Sequence, residues 1–257
     1  MTVNNSITKN GLNEDFALQL ARGQIYNHST INKFGRNTAV ASGATETVWD
    51  GSSLYTFPTD TTTMTHIRAA VDSATTRGVV IEVQGLNSDW ELVTQTKALD
   101  GTNSTTEVIL GTALIRCFRM RVLDSSVMDQ NIWLGDDDFV VAAAKAIIVA
   151  GNNQTEMAKY TVPAGHSAYM TGYYAREHPV SGNAATSLDI KLWAKDNANG
   201  YAPQLKHTLG LSPGGEEQHH FYPYYPFGEK TDIYINITTV GGTSDISAGF
   251  DLILVKN

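Results

Sequence analysis

Between Met157 and His178 two runs of alternating residues flank Pro163-Ala-Gly165, and this stretch limits the folds open to the chain more than any other. Ala158, Tyr160 and Val162 share one side of the first run, and Lys159 and Thr161 take the other. A period of two marks a strand with one face in a core, because successive side chains on a strand point to opposite faces. Proline and glycine supply the backbone angles of a turn. The stretch therefore predicts a β-hairpin at the centre of an antiparallel domain. The same period recurs downstream. Leu188, Ile190, Leu192 and Ala194 oppose Asp189, Lys191, Trp193 and Lys195, and Ile233, Ile235 and Ile237 oppose Tyr234 and Asn236. Ala248, Phe250, Leu252 and Leu254 line one face of the C-terminal run. Upstream, Val79, Ile81 and Val83 alternate with Val80, Glu82 and Gln84, and Phe118, Met120 and Val122 with Arg119 and Arg121. Cys117 falls on the arginine side, which makes it less buried than a core cysteine. Short strands at this spacing predict an all-β protein. The expected plan is two antiparallel β-sandwich (jelly-roll-like) domains, residues 38–135 and 136–257, preceded by an N-terminal arm, 1–37, with a short helix.

The helix expectation rests on Asn13-Glu14-Asp15, a cap and acidic first turn ahead of Phe16, Leu18, Leu20 and Ala21. Two turns ending near Gly23 are too short to be stable alone and need a surface, from this chain or a neighbour. Residues 25–37 then read as an extended arm anchored by Phe34. The run from Phe139 to Val149 mixes Ala142-Ala-Ala-Lys-Ala146, which favours helix, with Ile147-Ile-Val149, which favours strand, and is taken as strand.

Composition narrows the function classes. Charged residues make up only 17% of the chain, and the net charge of −8 argues against nucleic acid, whose phosphates are neutralised by Lys and Arg. No apolar run approaches the roughly 20 residues of a membrane-spanning helix. The N-terminus lacks the apolar core of a signal peptide, so synthesis in a reducing cytoplasm is expected. Cys117 is the single cysteine, which leaves no internal disulfide and no thiolate cage for zinc. No nucleophile elbow, phosphate-cradling loop or His-Glu-x-x-His pair is present. His219-His220 reads as a surface loop, and neighbours on a strand would point apart and could not share a metal. Asp136-Asp-Asp138 lacks the spaced ligands and closing Glu of a calcium loop and reads as a solvated linker. No catalytic, cofactor-binding or metal residue is assigned, and the chain is expected not to be an enzyme.

One stretch stands out as a contact surface: Phe221-Tyr-Pro-Tyr-Tyr-Pro-Phe227. Two prolines rule out a central strand, so it lies on an edge or a crossover. It covers the end of its own sandwich, meets another subunit, or stacks on a sugar. Trp193, a large aromatic on a polar face, is a second anchor. The candidate interaction residues are Phe16, Leu20, Phe34, Arg36, Trp193, Phe221, Tyr222, Tyr224, Tyr225 and Phe227.

Several segments together resemble virion structural proteins of tailed bacteriophages, particularly those of marine and cyanobacterial hosts. They are Asn32-Lys-Phe-Gly-Arg-Asn37, Val48-Trp-Asp-Gly51, Tyr55-Thr-Phe-Pro58, Val83-Gln-Gly-Leu86, Tyr160-Thr-Val-Pro-Ala-Gly165, Glu229-Lys-Thr-Asp-Ile233 and Ala248-Gly-Phe-Asp-Leu-Ile-Leu254. They keep the family's order and span residues 32–254, while Asp129–Ala150 and 221–227 depart from its pattern. The resemblance implies a non-enzymatic capsid decoration, cement or head-spike protein. It would be assembled in the host cytoplasm, contact the major capsid protein or other virion proteins, and form a homo-oligomer, most simply a trimer. A tail or baseplate component, a carbohydrate-binding adhesin module and an unrecognised glycosidase are the alternatives.

Overall fold

The computed structural model describes residues 8–9, 12–125, 127–138, 140–178, 180 and 184–257. Its main body is a sandwich of two antiparallel sheets. One sheet runs in the order Glu216–Phe227, His166–His178, Ser244–Lys256, His28–Val40. The other runs Lys159–Thr161, Thr231–Val240, Ser187–Asp196, Gln204–Leu211, with Thr45–Thr47 pairing the same edge of 231–240 as Lys159–Thr161 does. With 45–47 and 159–161 counted as one strand position, the connection from 187–196 to 204–211 stays within a sheet and the others pass from one sheet to the other. That alternation, four strand positions per sheet, is a jelly roll.

The rows of apolar residues meet between these sheets. Leu188, Ile190 and Leu192, Ile233, Ile235 and Ile237, and Ala248, Phe250 and Leu252 are all buried in one core cluster. The alternation around Met157–His178 is present, but the two runs do not form a hairpin. Lys159–Thr161 pairs with 231–240, and His166–His178 pairs with 216–227 and 244–256. Pro163-Ala-Gly165, with Gly165 at φ +69°, is a corner at which the chain changes sheets. A corner and a hairpin turn call for the same residues. Both runs also present apolar side chains to one core, so local pattern does not separate the two.

The jelly roll has one broken strand. Thr45–Thr47 and Lys159–Thr161 occupy successive stretches of a single edge position, joined by Val48 N–H to the Ile235 carbonyl (3.0 Å) and Ala158 N–H to the Val48 carbonyl (2.9 Å). The intervening residues, 49–157, form a second lobe. Its sheets are Ala146–Ile148, Ile132–Gly135, His66–Ala69, Val108–Ile109 and, separately, Leu92–Ala98, Val80–Leu86, Arg116–Val122. They enclose a core that includes Met64, Ile67, Ile81, Met120, Ile132 and Ile148. Strand pairing thus crosses both expected boundaries. Residues 28–37 of the expected arm form an edge strand with 244–256, and 132–135 pairs with 146–148 across position 135/136. Pairing between residues some 200 positions apart leaves no local mark in the sequence.

Two further expectations change, and the expected helix is present. The strand expected over 139–149 is confined to Ala146–Ile148, after a 3-10 turn at Val141–Ala143; Phe139 lies outside the described residues. Cys117 is buried, because the register of 116–122 against 80–86 shifts between Arg119 and Cys117. Phe118 is the extra residue of that bulge, so Cys117 and Met120 enter the lobe core while Phe118 joins the jelly-roll core. The helix spans Phe16–Ala21, where the Asp15 carboxylate accepts the Ala17 and Leu18 N–H groups at 2.9 and 3.2 Å, and Gly23 lies beyond its end at φ +65°. Its surface comes from its own chain: Gln19 and Leu20 are buried, and the helix lies on strand 28–40.

Candidate functional site

The aromatic stretch belongs to Glu216–Phe227, an edge strand paired, among the described residues, with 166–178 on one side, as its prolines require. Alternation divides its side chains. His219, Phe221, Tyr225 and Phe227 turn inward: Phe221 stacks on the buried Tyr173 with ring centroids 6.1 Å apart, and Tyr225 tilts against Phe227 at 5.1 Å. His219 lies parallel to His207 of the facing sheet at 4.0 Å, and His207 Nδ1 hydrogen-bonds the Tyr173 hydroxyl at 2.7 Å. His219 and His220 are therefore strand residues pointing apart, not a surface loop. Burial and the neighbouring His219 lower the His207 pKa.

Tyr222 and Tyr224 turn outward, 98% and 45% exposed. Tyr224 lines a shallow groove on the outer face of the sheet with Phe16, His28, Tyr169, Ile253 and Val255. The exposed aromatic surface thus joins the start of the helix to the edge strand. Other expected anchors are occupied. Leu20 is buried beneath the helix, and Arg36 makes a two-pronged ion pair with Asp245 on the adjacent strand, at 2.9 and 2.6 Å. Trp193 is half-buried opposite Tyr234, and its Nε1 has no hydrogen-bond partner among the described residues. Phe34 is half-buried and lines a cleft between the lobes.

The lobe junction carries the densest chemistry, which the sequence reading passed over. Arg116 donates to both Asp232 carboxylate oxygens at 2.7 and 2.9 Å and to the Pro58 and Ile115 carbonyls. Its guanidinium lies over the Phe57 and Trp90 rings, at 5.1 and 4.8 Å. Asp232 also accepts from Thr161 Oγ1 at 2.6 Å and Asn197 Nδ2 at 2.8 Å. Beside this pair two buried lysines reach the carbonyls around the bulge. Lys33 donates to Phe118 O, and Lys159 to Cys117 O at 2.9 Å while its ammonium lies 3.8 Å from the Tyr55 ring centroid. Burial lowers the Lys159 pKa to about 7 and the Lys33 pKa to about 8. Asp50 is a half-buried group at the junction. Burial raises its pKa to about 7, although its carboxylate accepts the Glu156 N–H at 2.8 Å. Among the described residues no trio of His, Cys, Asp or Glu is arranged to hold a metal, and no helix is long and apolar enough to cross a membrane.

No family model matches the chain, and no curated protein matches it. Similar solved structures include the mosquito-larvicidal Cry4Aa toxin from Bacillus thuringiensis, at 9% identity over 69% of this chain and 42% of the toxin chain, TM-score 0.26. They also include infectious bursal disease virus, Gx strain, at 13% identity over 90% of this chain and 73% of that one, TM-score 0.26. The VP2 subviral particle of the same virus gives 12% identity over 90% and 72%, TM-score 0.22. At such TM-scores these likenesses carry no argument about fold or function.

Proposed function

We propose that this chain is a non-enzymatic virion structural protein that decorates or cements a capsid as a homo-oligomer, most simply a trimer. The ordered motifs across residues 32–254 support the virion reading. The jelly roll is compatible with it, though the same architecture serves lectins and enzymes. The observation that carries the self-association is the outward aromatic surface: Tyr222, Tyr224, Tyr169 and Phe16 lie exposed. Exposed apolar patches on a soluble protein mark contacts or aggregation hazards. In this reading the contact runs through the edge strand and the start of the helix, because residues 28–36 are held within the sheet and Leu20 is covered.

Light scattering on the purified chain tests it. The native protein is expected to be oligomeric at micromolar concentration. Tyr222→Ser with Tyr224→Ser should weaken association by at least about tenfold, the loss of some 1.4 kcal/mol, with an unchanged melting temperature because both side chains face outward. A monomeric native protein rejects self-association away from the particle. An unchanged oligomer in the double variant rejects this surface. Labelling of intact particles then separates a head from a tail position.

A further inference from the structure

A cleft of about 550 Å³ opens between the two lobes, along the free edge of strand 28–40 and beside the sheet of 80–86, 92–98 and 116–122. Its lining has a composition unlike the rest of the molecule. The chain carries 26 acidic residues against 18 Lys and Arg, yet none of the described residues lining the cleft is Asp or Glu, while Lys33 and Arg119 are both present.

Neither cation is neutralised by a carboxylate contact among the described residues. Among the described residues Arg119 makes no ion pair, and its hydrogen bond goes to Gln154 Oε1 at 2.7 Å. Glu82, whose carboxyl is held acidic first by Arg121 and least by Arg119, is engaged by Arg121 in two hydrogen bonds and by Gln84. Lys33 is buried, and among the described residues its hydrogen bond goes to the Phe118 carbonyl. A second, independent observation points the same way. Tyr160 lines the cleft at 3% exposure, and its hydroxyl has no hydrogen-bond partner among the described residues. Buried hydroxyls are almost always satisfied by protein, water or ligand, so this one marks a place where a polar group belongs.

We propose that this cleft binds a monosaccharide-sized acidic sugar, a ring polyol bearing one carboxylate. The guanidinium of Arg119 offers the planar pair of donors that suits a carboxylate. Lys33 adds positive charge, and the Tyr160 hydroxyl and the Gln84 and Gln154 amides supply donors and acceptors for ring hydroxyls. Phe34 and Phe118 supply apolar surface for the C–H face of a ring. The volume falls within the range of small-molecule sites, roughly 300–1,000 Å³. An extended acidic peptide added to the free edge of 28–40 would use the same charges. It would leave the buried Tyr160 hydroxyl unexplained, because strand addition is a backbone contact. The site is independent of the capsid assignment and of the aromatic contact surface.

The test is titration of the full-length chain with sodium glucuronate, followed by calorimetry and by backbone amide resonances, with glucose, sodium sulfate and an acidic hexapeptide as comparison probes. Glucuronate is expected to saturate with a Kd of about 1 mM, and glucose and sulfate to bind at least about tenfold more weakly. Arg119→Gln should weaken glucuronate binding at least about tenfold, and Tyr160→Phe about three- to tenfold. Tyr160→Phe removes a hydroxyl that has no partner, so its melting temperature should not fall; a fold intact by that measure makes its binding result decisive. No saturation by roughly 50 mM glucuronate overturns the proposal, as does equal binding of sulfate or glucose. Unchanged binding by both variants, or preference for the hexapeptide, overturns it as well.

Discussion

Asp232→Ala should destabilise the protein by about 3–5 kcal/mol, because removing one member of a buried ion pair leaves the other charge uncompensated. Arg116 and Asp232 are 3% and 0% exposed at the side chain, so water cannot substitute for the missing partner. The loss is compounded because the same carboxylate takes hydrogen bonds from Thr161 and Asn197. For a chain of this size, thermal unfolding should shift down by ~10 °C, taking about 2–4 °C per kcal/mol. The double replacement Arg116→Met with Asp232→Leu should recover a large part of the loss, since it leaves no lone charge in the junction. A single variant within about 1 kcal/mol of the native protein would show that the pair contributes nothing to joining the lobes.

Raising the pH from 7 to 9 should stabilise the protein, and Lys159→Met should remove much of that gain. Lys159 and Lys33 have folded pKa values of about 7 and about 8, lowered by burial from 10.5. Between the folded and unfolded values the unfolded chain binds more protons, so stability climbs with pH. Below about pH 7 both states hold the Lys159 proton and its full penalty is present. Burial raises the pKa of Cys117 and Tyr55 instead, which makes stability fall above their unfolded values of 9.0 and 10.0 and bounds the climb from above. At pH 6 the methionine variant should melt higher than the native chain, because it carries no charge into the junction. Thermal unfolding of both proteins from pH 6 to 9 measures this, and an identical slope in the two would remove Lys159 from the account.

Much of the jelly-roll core was legible because it is periodic. Each of the rows 188–194, 233–237 and 248–254 is buried in its sheet, and Asp15 with Gly23 brackets the helix. What escaped the sequence was long-range or broke the period. Pro163-Ala-Gly165 suits a hairpin and a sheet-changing corner equally. The bulge at Phe118 reverses which neighbours face inward, and no pattern of residue types marks where a ladder slips by one. Alternation puts Lys159 on a polar face, which is correct locally, while Lys33 reads only as part of an extended arm. Both are buried because the other lobe covers them. Among the contact residues, alternation alone could have separated Tyr222 and Tyr224 from Phe221, Tyr225 and Phe227; treating the stretch as one aromatic block concealed it. Asp50 carried no signal, since its environment comes from Glu156, more than a hundred positions away.

The pairing of strand 28–40 with 244–256 also sets a timetable. Arg36 and its partner Asp245 are 209 positions apart, and at about 5–20 residues per second a ribosome needs roughly 10 to 40 s to make the second after the first. Through that interval residues 28–40 lack 244–256, the strand they pair with, whereas the inserted lobe, whose described pairings fall between positions 49 and 157, can close as soon as it emerges. The lobe that interrupts the jelly roll is thus the first part of the protein able to fold. Once closed it brings Val48 and Ala158 together, so the nascent chain completes its larger sandwich around ends already held in place.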